Sequence, residues 1–200
     1  MRYYSIKTSA WLPRFFPREL NWKVQDEHAV YITFDDGPHE EATPFALDVL
    51  KTYDAKATFF CIGKNVEAHP ELYNRILQEG HQTGNHSYDH LNGWKTTNEL
   101  YLKNIIKASR CIGNKIFRPP YGRIKISQSK RLLQRGWKIY MWDVLSGDFD
   151  TSLSPEECAG NVLENLEPGS IVVFHDSKKA LPRMQYALPK VLEYCKEKNW

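Results

Sequence analysis

Short apolar runs alternate along the chain with segments in which apolar residues return every three or four positions. Residues 29–34 and 57–62 are continuous runs of apolar and β-branched side chains, the pattern of strands buried on both faces. Between them Ala46, Val49, Leu50 and Tyr53 form a helical stripe, with Thr43 expected as its N-cap and Pro44 at the first helical position. A helix over 71–78, ended by Gly80, leads to a short strand over 82–85. Thr96-Thr97-Asn98-Glu99 has capping-box spacing, and Leu102, Ile105, Ile106, Ser109 and Ile112 continue it as an amphipathic helix. A short strand at 117–118, a helix over 127–134 and a strand over 137–142 follow. Ser154-Pro155-Glu156-Glu157 is a second capping signal, 170–174 the last clear strand and 188–196 the last helix.

A strand-then-helix alternation repeated in this way predicts a mostly parallel sheet wrapped by helices, and both a (β/α) barrel and an open wound sheet satisfy it. No linker or internal repeat divides the chain, so residues 28–200 are read as one domain. Residues 1–27 are aromatic and basic without clean periodicity and are expected to pack on its outside as an N-terminal extension.

Composition narrows the class. With 42% hydrophobic and 26% charged residues over 200 positions, the chain has enough apolar surface for a substantial core, which excludes a disordered or peptide-sized protein. The net charge of +3 is too mild to argue for nucleic acid. Its distribution is uneven: no acid lies between Glu99 and Asp143, while residues 100–142 hold eleven Lys or Arg. That segment is expected to form the solvated outer faces of two helices, with peripheral contact to an anionic surface as the competing reading. No apolar run approaches the roughly 20 residues of a transmembrane helix. Lys7, Arg14 and Arg18 precede any apolar run, so no secretory signal is seen and a cytoplasmic location is the default. Cys61, Cys111, Cys158 and Cys195 lack metal or redox spacing and are expected to be free and structural.

In a parallel α/β sheet, ligands bind beyond the carboxyl ends of the strands. Here the strand ends carry Asp35-Asp36-Gly37-Pro38, His86-Ser87-Tyr88-Asp89-His90, Arg118-Pro119-Pro120-Tyr121-Gly122, the stretch from Asp143 to Asp148, and His175-Asp176. His86 and His90, four apart, would stand side by side on a helical turn and suit one tetrahedral metal; alone, such a pair more often marks an exposed loop. Asp35 or Asp36 would complete a site of two imidazoles and one carboxylate, with a position left open for water.

These motifs, in order, resemble those of the NodB-like polysaccharide deacetylases, carbohydrate esterase family 4, over residues from about 28 to the C-terminus. The resemblance implies a distorted (β/α) barrel of fewer than eight strands and a metal-dependent hydrolase that removes N-acetyl groups from sugars, with peptidoglycan or chitin-like N-acetylglucosamine as the expected substrate. Asp36, His86 and His90 would hold one divalent ion, zinc or another transition metal. Asp35 would be the general base, held by Arg118, and His175 the general acid, oriented by Asp148. The Tyr121 backbone N–H would receive the oxyanion, Val173 would line the acetyl-methyl pocket and Trp142 would be a rim aromatic. Two positions depart from the pattern: Phe149 stands where Trp is usual after Asp148, and Val173 replaces the usual Leu. An amidohydrolase acting on a small N-acyl or ureido compound and a silent carbohydrate-binding module are the rival readings.

Overall fold

The computed structural model describes residues 4–200; residues 1–3 of the expected N-terminal extension lie outside the described residues. One parallel sheet organises the chain: β1 (Leu20–Asn21), β2 (Tyr31–Asp35), β3 (Thr58–Cys61), β4 (Gln82–Asn85), β5 (Ile116–Phe117), β6 (Lys138–Tyr140), β7 (Val144–Leu145) and β8 (Ile171–His175). Their spatial order is β1-β6-β5-β4-β3-β2-β8-β7. Of the eight strands among the described residues, seven fall within 28–200 and the eighth comes from the segment before it.

The sheet is a distorted barrel because β6 and β7 are parts of one chain segment, three residues apart, with β6 paired to β5 and β7 to β8. Met141, Trp142 and Asp143 therefore join β6, beside one end of the strand order, to β7 at the other. Backbone groups at this seam need partners, since buried N–H and C=O groups are costly when unpaired. The N-terminal segment supplies them. Met141 N donates to Asn21 O at 2.7 Å, Thr8 N to Asp143 O at 2.8 Å, and Leu145 N to Ile6 O at 2.8 Å. Thr8 Oγ1 donates to Trp142 O at 2.8 Å. Lys7 Nζ reaches Asp143 Oδ2 at 2.9 Å and Glu167 Oε1 at 2.8 Å. Residues 6–8 and 20–21 are thus stitched to the seam.

Among the described residues seven α-helices cover the outside: α1 (Ala42–Thr52), α2 (Gly63–Ala68), α3 (Pro70–Gln78), α4 (Asn98–Ala108), α5 (Ile126–Leu133), α6 (Pro155–Leu163) and α7 (Leu181–Glu197). One apolar core lies between β2, β3, β8 and helices α1, α3, α6 and α7; Phe34 stacks on Phe59 within it, centroids 4.7 Å apart. A second lies between β1, β5, β6 and helices α4 and α5, around Tyr101, Ile105, Phe117 and Ile139. Cys61, Cys158 and Cys195 are buried in the first core, Cys111 is half-buried, and all four are free.

Several local expectations are corrected. α1 starts at Ala42 with Glu41 in the N-cap position. Thr43 is a first-turn residue whose hydroxyl is used elsewhere. Thr97, not Thr96, caps α4 by accepting from Leu100 N. α7 begins at Leu181, seven residues earlier than expected, because Pro182 fits a first turn and the helix continues through Pro189. On α4, Ile106 is 52% exposed whereas Asn104 is buried, for a reason that lies in the site.

Candidate active site

Strand register brings the strand ends to one rim: Asp35 is the direct partner of Phe60 on one side and of His175 on the other. On β2, alternation turns Thr33 and Asp35 to the same face. There Arg118, fully buried, donates through Nη1 to Asp35 Oδ1 at 2.8 Å and to Thr33 Oγ1 at 2.7 Å, and through Nη2 to Met141 O at 3.0 Å. Its guanidinium lies 4.1 Å from the centroid of Phe60. Room for that ring depends on Gly84, where a Cβ would come within 2.6 Å of Phe60. Burial weakens the guanidinium's hold on its proton and Asp35 strengthens it; an Arg remains charged at neutral pH.

Asp36 follows with φ of 82°, in the left-handed region, so the two adjacent carboxylates diverge. This turn is pinned by Asp176, fully buried, which accepts from Gly37 N at 3.0 Å and from Thr43 Oγ1 at 2.6 Å. A Cβ on Gly37 would lie 1.9 Å from Asp176 Oδ2, so the turn requires glycine. Burial pushes the Asp176 carboxyl up to about 8, with the charge of Asp36 adding to the effect. Asn65 Nδ2 donates to Asp36 O at 2.7 Å.

His86 and His90 do not share a helical turn. They lie on the loop after β4, where Ser87 and His90 have φ of 63° and 56°. That conformation is bought by side-chain bonds: Asn85 Oδ1 accepts from Ser87 N at 2.8 Å, and Asn104 Oδ1 accepts from Tyr88 N at 2.8 Å and Asp89 N at 3.0 Å. The buried polar side of α4 thus shapes the loop. Both rings converge on Asp36 Oδ1, with Nε2 of His90 at 3.2 Å and of His86 at 3.7 Å.

The donor set suits a divalent cation. One ligand atom from each of Asp36, His86 and His90 lies within 4.8 Å of the others. His86 Nδ1 donates to Arg118 O at 2.9 Å, which leaves the Nε2 lone pair for a metal. Burial pushes His86 down to about 4, so it is neutral, as a ligand must be. Burial opposes ionisation of Asp36, but the imidazoles of His90, His175 and His86 outweigh it and hold its carboxyl below the usual range. Its Oδ1 is buried and accepts no hydrogen bond from the described residues, an orphaned acceptor that a cation would satisfy.

Across the rim, His175 Nδ1 donates to Asp148 Oδ1 at 2.7 Å, and His175 N to Asp148 Oδ2 at 2.8 Å. Asp148 is fully buried, and its own carbonyl accepts from Arg183 Nε at 2.6 Å. Burial disfavours an imidazolium, yet Asp148, aided by Asp36 and Asp35, raises His175 to about 9. Because the folded value lies above the ordinary value of about 6.5, the stabilisation is complete below that pH and is lost as pH rises through 9. Asp148→Asn should therefore unfold at lower urea than the wild type at pH 6, with the gap narrowing by pH 10; a pH-independent gap would show that the ion pair does not carry it.

Tyr121 stands on the rim with φ of 59°, 59% exposed as a residue and with its hydroxyl 3.1 Å from His90 Nδ1. Val173 lies two residues before His175 on β8, buried, in register with Thr33. Trp142 is half-buried beside Gly122, where a Cβ would lie 2.7 Å from its ring. Of the basic residues in 100–142, Lys103, Lys107, Lys130 and Arg131 are exposed on α4 and α5, while Arg118 belongs to the site. Among the described residues no helix is long and apolar enough to cross a membrane.

Residues 23–139 match the sequence profile of the polysaccharide deacetylases. The chain belongs to that family. As a polysaccharide deacetylase family member it is 38% identical over 177 residues to a peptidoglycan-N-acetylglucosamine deacetylase of Bacillus cereus, covering 85% of this chain and 64% of that relative. It thus spans a little under two thirds of that protein. A chitooligosaccharide deacetylase of Azorhizobium caulinodans is 32% identical over 160 residues, 76% of each chain. Among solved structures, a peptidoglycan N-acetylglucosamine deacetylase crystallised with 4-naphthalen-1-yl-N-oxidanyl-benzamide superposes with a TM-score of 0.84 at 37% identity, covering 90% of this chain and 86% of that one.

The supporting residues of this deacetylase-family site are harder to see in sequence than its candidate reactive ones. Asp176 adjoins His175 at a strand end with no pattern to mark its task, whereas it holds the Asp35-Asp36 turn. Asn104 carried a usable signal, a polar residue between Leu102 and Ile105 on a predicted apolar stripe. Asn65 and Arg183 carried none.

Proposed function

We propose that this chain is a metal-dependent hydrolase that removes acetyl groups from N-acetylglucosamine residues of a polysaccharide or oligosaccharide, peptidoglycan or a chitin-like polymer. The observation that carries the reading is the pairing of Asp35 and His175 as direct partners on β2 and β8, one held by a buried Arg and the other by a buried Asp, on either side of the Asp36, His86 and His90 cluster. Family membership and the activities named for its relatives point the same way.

Asp36, His86 and His90 would hold one divalent ion, zinc as the first choice, and when bound it supplies a polarised amide carbonyl and a more acidic water. Asp35 takes the proton of the attacking water. Arg118 occupies its Oδ1, so Oδ2, 3.9 Å from His86 Nε2, is the oxygen free to accept. His175, protonated through Asp148, gives its proton to the nitrogen as the C–N bond breaks, and acetate and the free amine leave. The Tyr121 backbone N–H offers a donor to the developing oxyanion. Val173 is the candidate wall for the acetyl methyl group, and Trp142 and the exposed Tyr121 ring are candidate surfaces for sugar.

The test is acetate release by purified protein from chitooligosaccharides and peptidoglycan fragments beside a panel of small N-acyl and ureido compounds. Faster release from the oligosaccharides supports the reading. Preference for the small amides would assign a different amidohydrolase, and release from neither would assign a silent carbohydrate-binding module.

A further inference from the structure

The N-terminal segment reaches the acid side of the rim as well as the barrel seam. The Tyr4 ring packs on Phe149, centroids 5.0 Å apart at 59°, and its hydroxyl donates to Asp150 Oδ2 at 2.7 Å. Phe149 in turn stands edge-on to His175, centroids 5.0 Å apart at 70°. We propose that Tyr4 is a positioning residue for the reaction, holding Phe149 against His175 so that the imidazole keeps the orientation in which Asp148 binds one edge and the other faces the cleft.

The physical need is plain. One hydrogen bond from Nδ1 fixes an edge of an imidazole but leaves the ring free to rock about that bond, and only packing against its face or edge removes the motion. Phe149 provides that packing from the residue after Asp148. Phe149 is itself half-buried and has no polar group to anchor it, so something must close its far side. Tyr4 does so from 145 positions away. The hydroxyl adds a second restraint: Asp150 Oδ1 accepts from Ser152 N at 3.0 Å and Ser152 Oγ at 2.7 Å, and Oδ2 accepts from Tyr4, so the turn that carries Phe149 is tied from both sides. Tyr4 is placed independently of its ring, because Ile6 O, Lys7 and Thr8 are bonded to the seam. Substitution at Tyr4 therefore leaves residues 6–8 in place; Tyr4→Leu removes the ring contact with Phe149, and Tyr4→Leu and Tyr4→Phe alike remove the hydroxyl bond to Asp150.

The inference rests on the acid role given to His175, and its test separates the two. Tyr4→Leu and Tyr4→Phe are compared with wild type as zinc-loaded proteins on N-acetylglucosamine oligomers, together with Phe149→Leu, which breaks the same contact from its other side. Tyr4→Leu and Phe149→Leu should each lower kcat about tenfold while KM and zinc stoichiometry stay within about twofold, and Tyr4→Phe, which keeps the ring, should recover most of the loss. In the metal-free proteins, the NMR cross-relaxation between the Phe149 ring and the His175 ring should be strong in wild type and Tyr4→Phe and weak in Tyr4→Leu. Wild-type kcat in Tyr4→Leu, or equal losses in Tyr4→Leu and Tyr4→Phe, would overturn the role of the ring. If wild type releases no acetate, the function is wrong, and the NMR comparison alone decides whether Tyr4 places His175.

Discussion

Asp35→Asn is expected to keep its metal and lose the reaction, with kcat down by about 100-fold or more. The amide matches the carboxylate in shape and still offers an oxygen to Arg118, so the cluster of Asp36, His86 and His90 keeps its geometry. What disappears is the proposed base: an amide oxygen does not take a proton from water at neutral pH. The substitution also strips the fully buried Arg118 of its counter-charge, and removing one partner of a buried ion pair typically costs about 3–5 kcal/mol. A lower melting temperature should therefore accompany the loss of rate, and zinc per folded protein must be measured beside turnover. Near-native kcat at full metal content would take Asp35 out of the base role.

His86→Ala should lose both the metal and the activity. The imidazole gives one of three donors, and its other nitrogen is fixed by Arg118 O, so deletion removes a candidate ligand and unpairs a buried carbonyl of the Arg that holds Asp35. Asp36 and His90 alone form an incomplete site for a tetrahedral ion. Zinc retained after exhaustive dialysis should fall from about one equivalent to a small fraction, with acetate release falling in step. Stoichiometric zinc in His86→Ala would show that the ligand set is wrong. The Asp35 and His86 variants together separate proton transfer from metal holding, since only one of them should empty the site.

How the chain carries this information differs from element to element. β2, β3 and β8 were legible because strands buried on both faces are written as unbroken apolar runs, and β4 was placed at 82–85 as observed. β1 and β7, two residues each, have no periodicity to read; they exist because a seam between strands leaves backbone groups that must be paired. α2, six residues long and opening on Gly63, is too short to carry a stripe. At the site, the candidate residues stand out because acids, imidazoles and an Arg are out of place at the ends of apolar strands. The shape of the His86 and His90 loop was not, because a separation of four fits both a helical turn and a loop with two left-handed residues. Only the Asn85 and Asn104 side chains decide between them. Tyr4 is the extreme case, since no local pattern couples position 4 to position 149.

The most direct measurement is acetate released from N-acetylglucosamine oligomers by the protein stripped of metal and then titrated with zinc. The account predicts no release from the stripped protein, and recovery that saturates at one equivalent, with one free amine formed per acetate. Equal release before and after stripping, or a fully loaded protein that frees no acetate from any N-acetylglucosamine oligomer, would contradict it.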